Sequence, residues 1–423
     1  MTLSSTDNAT KGYVVVPFFA TAAVFFLVFS ILLVLTGSQI LGHYFQPRVL
    51  AIVHTLALGW GTMIIFGAAY QLVPVIFEHS LFSPKLAFFS YFILTIGSCL
   101  LIYCFWNFRT DWMMILAGSL VCMASYIYFL IIWMTSKKLE KSFEFNLFFM
   151  FSAFWLCFTT TVGLLLAINL EHHYISKNHL DILKLHAHAG LAGWFLQLIL
   201  GAGAKMIPMF VMGKSAKRKA LFISVTLINT GLLMFLIHGY RNQIDYRLLI
   251  CATLILAGVI SWGVFIQDCL KNRLRKKIEI PIKHSLLSIG SLFAAFATLP
   301  LVLNQESGNW VTLYMVWIFL GWITGIILGM TFKTLPFIIW NIQYKNLNGR
   351  ANVPMPKELY SHKLLKVQYL LFLGSLSITV IAVVFKLKWL INLSTVLWVL
   401  LSVSYLLNVL KVLTHKRKEE YGS

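Results

Sequence analysis

The chain has 423 residues, of which 59% are hydrophobic, 15% aromatic and only 11% charged, and its mean hydropathy is +0.82. A soluble domain carries about 25% charged residues and a disordered chain is poor in apolar ones, so both classes are excluded, and the 26 Gly and 10 Pro are too few for a collagen-like chain. What remains is a protein that uses the bilayer as its solvent, in which the formal charge of +20 needs an explanation from its placement.

A membrane-crossing helix needs about 20 mostly apolar residues. Such runs occur at 14–36, 49–76, 84–106, 112–135, 144–169, 184–211, 217–238, 246–269, 283–303, 310–339, 364–385 and 387–411. The predicted fold is therefore an all-α integral membrane protein of about 12 transmembrane helices, with 1–423 as a single transmembrane domain. The first run is too long for a signal-peptide core and is expected to be retained. The longest interruption, 340–363, reads as a polar loop with Asn348, Gly349 and two prolines.

An even number of spans puts both termini on one side. That side receives 24 of the 34 Lys and Arg, in runs such as Lys137, Lys138 and Lys141, or Lys214, Lys217, Arg218 and Lys219; the other side receives 8. Lys205 and Lys333 fall inside helices, near the basic end, where a lysine can snorkel to water. A split of this kind follows the positive-inside rule and predicts cytoplasmic termini. The positive charge is thus an orientation signal, and no nucleic-acid partner is expected. All 14 acidic residues fall in loops or near helix ends, away from mid-membrane, where ion-coupled pumps commonly keep a carboxylate. The six cysteines form no C-x-x-C pair, which excludes c-type haem attachment and leaves them as packing residues.

Three runs share one pattern: His54, Gly59-Trp60, Gly67, Gln71, Pro74 in the second; His188, Gly193-Trp194, Gly201, Lys205, Pro208 in the sixth; Val316, Gly321-Trp322, Gly329, Lys333, Pro336 in the tenth. The spacings are identical, and the runs lie four helices apart. Repeats imply equivalent places in a fold, so the helices are expected to form three four-helix units related by pseudo-threefold symmetry, with repeat helices over about 49–76, 184–211 and 310–339. The glycines are expected to let helices approach closely, and the tryptophans to pack between helices. The charge split places His54 and His188 near the outer face.

The sixth run adds His186. Residues two apart on an α-helix point about 200° apart, so His186 and His188 address opposite faces and suit two centres rather than one. His54 and His188, as repeat-mates, suit the two axial positions of a bis-histidine haem.

The stretch His186-Ala-His188-Ala-Gly190-Leu-Ala-Gly193-Trp194, with Gly201 and Pro208 following, resembles the H-x-H helix of cbb3-type oxidase catalytic subunits. Twelve spans with internal threefold repetition resemble haem–copper oxidase subunit I, and length and helix number are similar to those of NnrS-like haem–copper membrane proteins. The resemblance implies a low-spin haem b on His54 and His188, and a second, high-spin haem on His186. It also implies a role in respiratory electron transfer or in NO or O2 handling, a bacterial inner membrane, and an electron-donor protein on the outer side. In the oxidases the H-x-H lies on the tenth helix; here it lies on the sixth. The seventh run has no histidine before His238, so the usual copper-site histidines are not evident and no catalytic residue is assigned. A terminal O2 or NO reductase with an altered binuclear site, and a haem-free transporter or metal-assembly factor, are the alternatives.

The other histidines divide by side. Glu171, His172, His173, His179, Asp181, His43 and His238 are expected on the outer side, as a solvated loop or a copper or zinc cluster. Arg48, Arg241 and Arg247 lie on that side as candidate partners for haem propionates, since guanidinium suits carboxylates. His79, His284, His362 and His415 are expected as ordinary surface residues on the basic side.

Overall fold

A computed structural model describes residues 10–136, 143–242, 245–274, 279–304, 308–347 and 352–417, and among them all regular structure is helical. Lys137, Lys138, Lys141, Asn348 and Gly349 lie outside the described residues. Among the described residues twelve helices are long and apolar enough to cross a membrane: α1 Gly12–Leu41, α2 Pro47–Ile76, α3 Pro84–Trp106, α4 Trp112–Ser136, α5 Glu144–His172, α6 His179–Val211, α7 Lys219–Arg241, α8 Leu248–Lys271, α9 Ile280–Asn304, α10 Gly308–Leu347, α11 His362–Val384 and α12 Lys388–Leu413. Helices are the expected solution, because each satisfies its own backbone groups where no water can.

Local chemistry sets the ends. Pro47 and Pro84 open α2 and α3, at the one turn where a missing N–H costs nothing. Asn178 caps α6 by accepting from the Leu180 N–H, and Ser361 caps α11 by accepting from the Leu364 N–H. The Asn178 cap explains why α6 begins five residues before the apolar run: His179 and Asp181 belong to its first turn, not to a loop. Likewise α10 runs to Leu347, into the stretch expected as a loop, because Trp340 donates to the Pro354 carbonyl at 2.6 Å and Tyr344 is buried. Large side chains such as Phe89, Ile96, Leu370 and Leu400 remain exposed along the helices, as lipid-facing residues do.

The packing gathers into two compact units. The first covers Val73–Leu100 and Arg109–Ile278, and so contains α4 to α8 with His186 and His188. The second covers Ala9–Leu72, Leu101–Phe108 and Glu279–Ser423, and so contains α1, most of α2 and α9 to α12, with His54 and His284.

The repeated glycines mark one packing scheme used three times. A Cβ on Gly193 of α6 would lie 2.5 Å from Trp155 Cγ of α5, and one on Gly321 of α10 would lie 2.6 Å from Ser291 Cβ of α9; Gly59 of α2 meets Phe25 of α1 in the same way. Two turns on, Gly67 faces Phe18 Cβ at 2.7 Å, Gly201 faces Phe148 Cβ at 2.6 Å and Gly329 faces His284 Cβ at 2.9 Å. As the glycine number rises the partner number falls, so each pair is antiparallel. Phe18, Phe148 and His284 are therefore equivalent, as are Phe25, Trp155 and Ser291. The tryptophans pack as expected: Trp60 stacks on Tyr405, Trp194 meets Tyr128 edge-on, and Trp322 is buried.

Candidate functional site

Each repeat helix changes character at the patterned position. Thr55–Thr62 of α2, Ala189–Leu196 of α6 and Val316–Ile323 of α10 are π-helical. The wider turn shows in the bonds that span five residues, Met63 N–H to the Leu58 carbonyl and Thr324 N–H to the Phe319 carbonyl. In α2 and α6 the segment begins immediately after the histidine; in α10 it begins on Val316 itself. π-helical turns are rare and concentrate at functional sites. Sequence spacing could not reveal them, because a side-chain pattern on an α-helical period carries no trace of them. The small residues at Gly59, Gly61, Gly190 and Gly193 were the available signal.

His54 and His188 are built alike. His54 Nδ1 lies 2.8 Å from the Leu50 carbonyl, and His188 Nδ1 lies 2.8 Å from the Lys184 carbonyl, each one turn back on its own helix. A carbonyl only accepts, so in both rings the proton sits on Nδ1 and the lone pair on Nε2. Each ring also rests on a phenylalanine: His54 on Phe105 at 4.6 Å between centroids and 29°, His188 on Phe235 at 4.8 Å and 40°. Both imidazoles are half-buried.

His186 turns the other way. Its Nδ1 donates to the Thr159 carbonyl of α5 at 2.9 Å, and it fills the space left by Gly163, where a Cβ would stand 2.8 Å from His186 Cε1. His186 thus faces α5 and His188 faces α7, the opposite-face arrangement expected from their spacing. Here too the lone pair is left on Nε2. Around them Trp155, Leu166, Ile182, Leu185, Ala189, Leu232 and Leu236 form one buried apolar cluster.

A polar clamp lies just beyond the π segment of α6. Asn229 Nδ2 donates to Gln197 Oε1 at 2.9 Å, Gln197 Nε2 donates back to Asn229 Oδ1 at 3.2 Å, and Trp155 Nε1 donates to the same Oδ1 at 2.8 Å. Three helices of the first unit are tied together by groups that satisfy one another in an apolar surround, where such bonds are strong and their loss is costly. In α2 and α10 the residues matching Gln197 are Met63 and Gly325, so the clamp is specific to α6.

The surrounding charges are engaged locally. Arg48 lies over the Trp106 ring at 5.2 Å and donates to Gln39 Oε1 at 3.2 Å. Lys177 donates to the Tyr240 carbonyl at 2.8 Å, and its ammonium sits 5.1 Å from that ring. Asp245 stands 3.4 Å from His238 Nε2 and 3.8 Å from Arg247 Nε. His179 pairs with Asn169 at 3.2 Å, and His172 lies 3.9 Å from Glu171. Among the described residues no three His, Cys, Asp or Glu side chains come together as a metal site. Between α3 and α4 the Arg109 guanidinium, bonded to Asp111 at 2.6 Å, holds that carboxyl below the usual carboxylate range.

Two residues depart from the expected surface roles. His284 is not a surface residue: α9 starts at Ile280, which carries His284 into the packed face of the helix, and the side chain is fully buried. His415 is half-buried, its Nε2 hydrogen-bonded to the Tyr344 hydroxyl at 2.9 Å, and burial, then Lys411, hold its pKa below the ordinary histidine value. Lys333 forms an ion pair with Glu279, whereas Lys205 sits over the Phe145 ring at 5.7 Å.

The sequence matches no family model and no curated protein. The function therefore rests on the residues themselves.

Proposed function

We propose that the chain is a haem-binding integral membrane protein of the inner membrane, with cytoplasmic termini, in which His54 and His188 would each hold b-type haem iron and His186 would be a further iron ligand. The carrying observation is the shared geometry of His54 and His188, each with Nδ1–H on the carbonyl one turn back at 2.8 Å. Metal-bound histidines characteristically donate the other ring N–H to a carbonyl or carboxylate, which fixes the tautomer and raises the basicity of the ligating nitrogen. His186 meets the same condition through the Thr159 carbonyl. Phe105, stacked on His54, and Phe235, tilted against His188, limit rotation of the rings, and the apolar cluster around α6 supplies a dry wall for a macrocycle. Haem, when bound, supplies one-electron transfer, which fits the respiratory or NO- and O2-handling role that the H-x-H resemblance implies. An electron-donor protein on the outer side completes this reading.

The test is a reduced-minus-oxidised visible spectrum of the purified protein. Sharp b-type bands are expected, and they should be lost in His54→Ala and His188→Ala proteins whose helical circular dichroism is unchanged. A folded, colourless protein made with haem in excess would sink the proposal. Binding of CO to the reduced protein, abolished by His186→Ala, would assign His186 to an open-sided iron.

A further inference from the structure

The third repeat breaks its own pattern at one buried place. Where α1 and α5 present Phe18 and Phe148 to the repeat glycine, α9 presents His284 to Gly329. Where they present Phe25 and Trp155, α9 presents Ser291 to Gly321. Two bulky apolar side chains have become an imidazole and a hydroxyl, on a helix that spans a membrane. Ionisable residues at such positions are expensive and usually functional.

His284 is 0% exposed, and neither Nδ1 nor Nε2 has a hydrogen-bond partner. Its ring meets Tyr369 edge-on at 4.9 Å and Phe372 at 5.4 Å, both on α11. On the same face of α11, Gln368 Oε1 and Ser375 Oγ are also buried and unpartnered. Gln368 Nε2 reaches the Leu328 carbonyl of α10 at 3.4 Å, and the next residue, Gly329, is the one that packs on His284. A Cβ on Gly325 would touch Phe372 at 2.9 Å and Ser288 at 3.0 Å, so α9, α10 and α11 meet here. The junction therefore gathers three orphaned polar atoms, His284 Nδ1 and Nε2 and Gln368 Oε1, with Ser375 Oγ two turns further along α11. Buried polar groups without protein partners characteristically hold internal water, which needs two to four such partners.

We propose that this junction is a hydrated proton-holding site, with His284 as the group that takes up and releases the proton through internal water. In uptake, the lone-pair nitrogen of the neutral imidazole accepts one proton from a water-borne hydronium, leaving imidazolium and water; release is the reverse. The groups that would govern it are few. From α11 the Tyr369 ring faces His284. The Lys333–Glu279 ion pair lies nearer the basic end: Lys333 is one turn beyond Gly329 on α10, and Glu279 precedes α9 by one residue. Lys283 and Lys366 are exposed. The described parts of α9, α10 and α11 contain no carboxylate, so nothing within them holds His284 permanently charged. The Glu279–Lys333 pair marks the side from which water would enter, five residues or about 7.5 Å of helix rise from His284. This inference does not depend on haem.

Deuterium exchange at the imidazole carbon between the nitrogens, read by mass spectrometry on the full-length protein in lipid nanodiscs over a pD series, tests it. Uptake at His284 with a sigmoidal dependence on pD is expected, with exposed His362 as the reference. No uptake at His284 while His362 exchanges, or uptake that is flat with pD, overturns the proposal. Gln368→Leu should slow uptake at His284 severalfold; unchanged uptake in that variant would overturn a shared pocket.

Discussion

The sixth and tenth spans are built on one plan and carry different side chains at matched places. Both carry the paired glycines, the buried tryptophan and a π-helical segment, and both pack antiparallel on the preceding helix. In α6 the residue before the π segment is His188, with its proton fixed by the Lys184 carbonyl; in α10 the matching residue is Val316, which is buried. Conversely α5 offers apolar Phe148 and Trp155 to its glycines, while α9 offers His284 and Ser291. The scaffold is therefore separable from the chemistry. Close helix approach needs only the glycines, and a polar residue can be gained or lost at either level without altering it.

The sharpest way to break this contrast is spectroscopic. His188→Ala and His54→Ala should abolish the b-type bands, whereas Val316→Ala should leave them intact. Loss of the bands in Val316→Ala would mean that the third repeat also holds the cofactor. The next effect concerns the clamp that α6 has and α10 lacks. Asn229→Ala leaves Gln197 and the Trp155 indole N–H without their partner. Each orphaned group costs about 1–3 kcal/mol, which thermal unfolding in detergent would register as a clear fall in midpoint. An unchanged midpoint would show that the clamp adds nothing to α6.

A third test asks whether the scaffold is truly shared. Gly193→Ala and Gly321→Ala each push a methyl against a neighbour closer than van der Waals contact allows. Overpacking of this kind costs about 1–3 kcal/mol, and both variants should melt lower. A penalty at Gly193 with none at Gly321 would separate the two repeats. The smallest effect belongs to His415, which tethers the segment after α12 to Tyr344 at the end of α10. Its folded pKa lies below its unfolded value, so its contribution is present above about pH 6.5 and is lost as pH falls through the folded pKa. The melting temperature should drop slightly on acidification below neutrality, and His415→Asn should remove that increment.

Much of the fold was legible because a bilayer imposes a simple rule on sequence. Runs of apolar residues located the twelve spans found among the described residues, and the misplaced ends were those set by caps and side-chain bonds, as at Asn178 and Trp340. Helical periodicity also sufficed to send His186 and His188 to opposite faces. Three things were not legible. The π segments depend on backbone hydrogen bonds that leave no period of their own. The Asn229–Gln197 clamp joins residues 32 positions apart, a pairing that no local pattern encodes. His284 lay at the ragged edge of an apolar run, where a shift of three residues in the helix start turns a surface position into a buried one.

A π-helical turn accommodates one more residue than the α-helical turn it replaces. It therefore works as an insertion absorbed without breaking the helix, and it sets the rotational phase between the α-helical turns on its two sides. Were the same residues of Ala189–Leu196 wound as a continuous α-helix, the extra residue would no longer be absorbed and the His186–His188 end would turn by about 100° relative to the Gly201–Pro208 end. Neither histidine would then face the helix it faces now, although no histidine had been changed. The direction of the two imidazoles of α6 is thus written as much in the winding of a short glycine-containing stretch as in the histidine positions themselves.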